Sequence, residues 1–225
     1  MTEKGRVSII GAGPGDPGLI TLRGAQCIRE ADVIVYDHLV SPEILRHAGA
    51  KARLIYAGKQ GGDHTLSQWQ INELLVAEAQ GGAIVARLKG GDPFIFGRGG
   101  EEAEVLHGAG IPFEVVPGIS SAVAVPAYAG IPLTHRNHTV SVAFVTGHED
   151  PTKGKSDLDW PTLAGIGTLV FLMGVKNLPT IADNLIRCGK DATTPAALIR
   201  WGTTPDQETL TGTLGDIAQR AEEHG

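Results

Sequence analysis

The sequence is poor in cysteine, in positive charge and in long apolar runs, and each shortage removes a class of function. Cys27 and Cys188 are the only cysteines in 225 residues. They lie far apart and lack the spacing of a zinc or redox motif, so buried free thiols are expected. Lysine and arginine total 19 against 25 acidic residues, giving a formal charge of −6 at neutral pH. That balance favours no nucleic-acid partner, and an anionic substrate would need a local basic patch. No apolar run approaches the roughly 20 residues that span a bilayer. No membrane partner is therefore expected, and a reducing cytoplasm is the expected setting. The chain also has no low-complexity tract and no convincing internal repeat.

What is present is a globular composition, 42% hydrophobic, in a length that suits one large domain or two small ones. Apolar, β-branched runs alternate with helical periodicity. Val7–Ile10, Asp32–Tyr36, Arg53–Tyr56, Ala83–Leu88 and Phe113–Val116 read as strands. Thr21–Glu30, Pro42–Ala48, Ser67–Gln80 and Glu101–His107 read as helices between them. This alternation predicts an α/β protein with a mostly parallel, helix-covered sheet. The pattern breaks in the proline-containing, polar and basic stretch Ile131–His138. Residues 1–134 and 138–225 are accordingly expected to form two α/β domains, each with a mostly parallel or mixed sheet flanked by helices. The second would hold strands Val140–Thr146, Leu169–Met173 and Pro195–Ile199, with helices Leu178–Cys188 and Leu214–Glu223.

Glycine-rich junctions between strands and helices carry the chemistry. In RLKGGDPFIFGRGGEE, Arg87–Glu102, Gly90 and Gly91 let a ligand approach the backbone, and Asp92 places a carboxylate where open α/β sheets bind ligands. GAGPGDPG, Gly11–Gly18, also follows a strand, yet Asp16 occupies the last glycine position of a dinucleotide fingerprint and would repel a pyrophosphate. Gly154–Ser156 lacks the upstream glycine of a phosphate-binding P-loop, and His148–Glu149 has no second histidine at metalloprotease spacing. No metal site is expected. Asp37 ends the second strand and Lys59 follows the third, at the sheet edge where ligands dock; both are acid–base candidates, and Asp37 could equally cap a turn. Val116–Arg136 is rich in small residues and prolines. Its Ser120 and Ser121 could cap a helix or hydrogen-bond a cofactor.

Taken in order, VSIIGAGPGDPGLITLRG, VYDHLVS, AGK with GGDH, RLKGGDPFIFGRGGEE, VPGISSA, GIPLTHR, VTGHE and LVFLMG resemble the tetrapyrrole methylases over nearly the whole chain. The resemblance implies that family's fold, with the active-site cleft between two domains. It implies S-adenosylmethionine-dependent methylation of uroporphyrinogen III at C2 and C7 to give precorrin-2, with S-adenosylhomocysteine as by-product, by a homodimer. By matching position it implies a cofactor site at Pro14, Gly90, Gly91, Asp92, Ile95, Ser120, Ser121, Met173 and Gly202. Asp37 and Lys59 match a proton acceptor and a proton donor. The substrate carries many carboxylates, so Arg87, Lys89, Arg98, His135 and Arg136 are candidate anchors. A methylase acting on a later precorrin or on a protein, and a non-catalytic nucleotide-binding module, are the competing readings.

Overall fold

Five short runs rich in valine and isoleucine form strands β1 (Arg6–Gly11), β2 (Val33–Tyr36), β3 (Arg53–Tyr56), β4 (Ile84–Lys89) and β5 (Phe113–Val116). They build one sheet in the order β3-β2-β4-β1-β5, with every pair parallel. The structure is a computed structural model and describes residues 5–58, 66–148 and 156–224. It divides into two units, Met1–Ser121 and Ala122–Gly225.

In the first unit the helices are α1 (Leu22–Glu30), α2 (Gln68–Gln80) and α3 (Gly99–Gly108). Thr21 caps α1 by accepting from the Gly24 N–H at 3.0 Å. Ser67 and Gln70 form a reciprocal capping box at the start of α2. Side chains alternate across the sheet with period two, so its two faces have separate cores. Val7, Ile9, Val33, Val35 and Val85 pack with Ile71, Leu75 and Ala79 of α2 and with Leu106 of α3. Ile10, Ile34, Ala86 and Leu88 pack with Cys27 and Ile28 of α1 and with Ile44. Ile44 belongs to Pro42–His47, a 3-10 turn where a short helix was expected.

This layering defines where a ligand can enter. The chain leaves β1 through α1 on one face and leaves β4 through α3 on the other, while β1 and β4 are neighbours. Their carboxyl ends therefore flank a topological switch point, where loops diverge and open a crevice.

The second unit contains α4 (Ser121–Tyr128), β6 (Val142–Thr146), α5 (Trp160–Ala164), β7 (Thr168–Leu172), α6 (Leu178–Arg187), β8 (Pro195–Arg200), β9 (Glu208–Thr213) and α7 (Ile217–His224). β6 and β7 pair in parallel, and β8 and β9 form an antiparallel pair. β9 was not anticipated: its sequence, ETLTGT, is too polar to register as an apolar strand. The division between units also falls earlier than the break at residues 134–138, and residues 122–134 go with the second unit. Gly202 lies against Val125 of α4, a backbone approach that ties α4 to the turn after β8. Among the described residues no helix is long and apolar enough to cross a membrane.

An ionic contact fastens α1 to the edge strand β5. The Arg23 guanidinium donates to both Glu114 oxygens, at 2.7 and 2.9 Å, and the Ser8 hydroxyl donates to Oε1 at 3.0 Å. The Arg23 hydrogen bond, ahead of every other influence, holds the Glu114 carboxyl below its usual range. A depressed carboxyl adds stability above the unfolded value of about 4.3 and loses it as pH falls through the folded value. Glu114→Gln is expected to reduce the urea unfolding free energy near neutrality, by a margin that shrinks at about pH 3. A margin equal at both pH values would show that the ion pair contributes nothing.

Candidate active site

Three glycines converge at the switch point. A Cβ on Gly11 would meet the Gly118 backbone, and one on Gly118 would meet Gly91 O and Gly11 Cα. The loops after β1 and β4 are bridged there: Gly91 N donates to Gly13 O at 2.7 Å, and Gly13 N donates to Gly91 O at 3.2 Å. Gly13 and Gly91 adopt positive φ, +80° and +67°, which glycine reaches without a steric cost. Asp92 locks the arrangement, its Oδ1 accepting from Phe94 N at 2.8 Å and its Oδ2 from Gly118 N at 3.1 Å. Oδ1 thus closes a turn within the loop after β4, and Oδ2 staples that loop to the one after β5. Ser120 Cα and Ser121 N lie 3.8 Å from the position of a Cβ on Gly91. Pro14 adjoins the Gly13 bridge, and Ile95, on the same loop as Asp92, is part exposed. The first-unit members of the predicted cofactor set therefore share one end of the sheet.

Beside this junction lies a buried charge cluster. Arg87 and Lys89 alternate onto the same face of β4, the central strand, and are 3% and 5% exposed. Glu102, in the first turn of α3, is completely buried and accepts on Oε1 from Arg87 Nε at 3.1 Å, Lys89 Nζ at 2.8 Å and Gln68 Nε2 at 3.2 Å. Arg87 also donates through Nη1 to Leu88 O and through Nη2 to Asp37 Oδ2, at 2.8 and 3.4 Å. Asp37 keeps its other oxygen on Leu39 N at 3.0 Å. Burial, then the neighbouring Arg87 charge, pushes the Lys89 ammonium pKa down. Asp37 thus sits at the mouth of the cluster, part exposed, with its carboxylate oriented on both sides.

The other predicted residues are dispersed. Arg98, at a left-handed φ of 57°, forms an exposed two-pronged pair with Glu101 at 2.7 and 2.8 Å. In the second unit, Met173 follows β7 at a φ of 60°, close to where Gly147 and Gly174 approach backbone to backbone. Gly202 lies between Trp201 and Thr203, which both have positive φ. His135 and Arg136 are exposed on a tight turn in which the rings of His135 and His138 are 4.8 Å apart. Lys59 lies outside the described residues. Asp16 accepts from Gly18 N at 2.7 Å and so caps a turn. Among the described residues, no three His, Cys, Asp or Glu side chains are grouped to hold a metal ion. Sequence reasoning passed over Gly11, Gly118 and Glu102. For Glu102 a signal existed, since two cations spaced i, i+2 on a buried strand require a buried counter-charge.

The model of the Tetrapyrrole (Corrin/Porphyrin) Methylases matches residues 6–218. The chain belongs to this family. Among its relatives, this methylase is 57% identical over 220 residues to the S-adenosyl-L-methionine-dependent uroporphyrinogen III methyltransferase of Methanosarcina barkeri (strain Fusaro / DSM 804), covering 97% of this chain and 86% of that one. It is 54% identical to the uroporphyrinogen-III C-methyltransferase of Priestia megaterium, over 97% and 92% of the two chains. The crystal structure of uroporphyrin-III C-methyl transferase from Thermus thermophilus complexed with S-adenyl homocysteine superposes with a TM-score of 0.82 at 39% identity, covering 96% and 92%.

In this methylase Gly118→Ala should cost about 1–3 kcal/mol of unfolding free energy, because backbone on two sides must yield to a methyl group. Gly108→Ala, in α3 with open space around its Cα, should instead be neutral or stabilising by up to about 1 kcal/mol. Equal effects in urea titrations would refute the close approach.

Proposed function

We propose that this chain catalyses the S-adenosylmethionine-dependent C-methylation of uroporphyrinogen III at C2 and C7, giving precorrin-2 for sirohaem or cobalamin synthesis. The observation that carries the reading is the glycine junction at the switch point, in a family member more than half identical to two proteins named for that activity. The donor fits the residues present. Gly90 and Gly91 offer backbone without side chains, and the Asp92 staple holds their loop against Gly118. When bound, S-adenosylmethionine supplies an electrophilic methyl group on a sulfonium.

The protein's part is mainly geometric. A pyrrole carbon of the porphyrinogen is already electron-rich, so in-line placement, worth up to about 7–11 kcal/mol, matters more than activating the nucleophile. A proton must then leave the methylated ring, and Asp37 is the proposed acceptor, with Lys59 as donor. Arg98, His135 and Arg136 are exposed and suited to meeting carboxylates. Arg87 and Lys89 spend their hydrogen bonds within the protein and act on the site from inside. A homodimer working in the cytoplasm with both cysteines free completes the proposal.

The reading is tested by incubating the protein with S-adenosylmethionine and uroporphyrinogen III, then with later precorrins. A dimethylated product from uroporphyrinogen III alone is expected. Methylation only of a later precorrin, or transfer to none of them, would overturn it. Asp92→Ala should weaken S-adenosylhomocysteine about tenfold or more, a loss of about 1.4 kcal/mol in calorimetry, by freeing the loop from Gly118. Unchanged affinity would remove the loop from the cofactor site.

A further inference from the structure

We infer that Glu102 is a positioning residue for the reaction, acting through Arg87 on Asp37. The inference deepens the reading of Asp37 as proton acceptor and rests on it. Arg87 and Lys89 are both buried, and among the described residues Glu102 is the one fully buried carboxylate touching them. Two cations against that one anion call for a second negative partner. Among the described residues, Asp37 is the other carboxylate within reach of them, through Arg87 Nη2 at 3.4 Å.

The division of labour on the guanidinium is what matters. Glu102 takes Nε and the Leu88 carbonyl takes Nη1, so the planar group is held in one orientation and only Nη2 is offered to Asp37. A guanidinium free to rotate would close on Asp37 through two parallel hydrogen bonds, the usual strong geometry for this pair, and occupy the carboxylate as an ion pair. Held by Glu102, it makes one long contact that orients Asp37 Oδ2, while Leu39 N holds Oδ1. Asp37 is thereby aimed and still open to a proton. Gln68 and the helical placement of Glu102 keep the anchor itself still: Gln68 Nε2 bonds both Glu102 Oε1 and Asn72 Oδ1, at 3.2 and 2.9 Å, and α3 presents Glu102 from its first turn. Glu102 Oε2 is buried and has no hydrogen-bond partner among the described residues. Stability alone would not favour that, since an unmet carboxylate oxygen is costly.

The test is a double-mutant cycle read by single-turnover transfer of labelled methyl groups, which gives rates for slow variants. Glu102→Gln preserves shape and removes the charge. It is expected to lower the turnover rate about tenfold, part of the contribution expected of a general base, with KM for both substrates and S-adenosylhomocysteine affinity unchanged. In the Asp37→Asn background the same change should add nothing. An equal loss in both backgrounds, or undiminished turnover in Glu102→Gln, would overturn the inference while leaving Asp37 in its role. Full turnover in Asp37→Asn would overturn the acceptor reading and this inference with it. Should Glu102→Gln fail to fold, Arg87→Lys serves in its place. It keeps the charge but lacks the planar fork that sets Nε on Glu102 while Nη2 meets Asp37, so it should show the same split between rate and affinity.

Discussion

Backbone contact among Gly11, Gly91 and Gly118 is the constraint from which the rest of the site follows. Where β1 ends and the loop after β5 begins, Gly11 and Gly118 have no room for a side chain, each lying against the other's main chain and against the Gly91 carbonyl. The loops can therefore come together only as bare main chain, and that same bareness gives a ligand access to peptide groups. Because α1 and α3 cover opposite faces, the junction lies where the chain diverges rather than under a helix. One geometric demand thus sets the junction at the carboxyl edge of the sheet and accounts for the Asp92 hydrogen bonds to Phe94 and Gly118.

The second determinant is electrostatic. A central strand of a covered parallel sheet is ordinarily apolar throughout, yet β4 carries Arg87 and Lys89 inward. Burying those charges is unfavourable unless they are paired, and Glu102 together with Asp37 supplies the pairing. An apolar replacement of similar volume would serve stability as well or better. The cluster lies beside the Gly90 to Asp92 loop and reaches Asp37 through Arg87, which is where the proposed role for it rests.

Much of the fold was readable because the inner strands β1, β2 and β4 are almost wholly buried and so appear as short runs rich in valine, isoleucine and leucine, with helical segments between them. β9 was hidden by its threonines and glycine, which an antiparallel partner accommodates but which carry no apolar signal. Composition sets the boundary at residues 134–138, where the proline-containing stretch resembles a linker, whereas the division into units falls after Ser121 and α4 packs with the turn at Gly202. In the candidate site, Gly90, Gly91 and Asp92 stood out in sequence as a glycine-rich strand-to-helix loop, and the structure places that loop at the switch point. Gly118 did not stand out, because its need for a missing side chain arises from segments distant in sequence. Glu101 and Glu102 look alike in a helical repeat, and only the tertiary structure makes one a surface partner of Arg98 and the other a buried anchor.

The central claim is that the switch-point junction is the methyl-donor cradle. A crystal structure of the chain grown with S-adenosylhomocysteine tests it most directly. The account predicts the ligand against the main chain of Gly90 to Asp92 and beside Ser120 and Ser121, with the Gly13 to Gly91 bridge intact. A ligand bound away from that loop, or a junction that opens to admit it, would contradict the account.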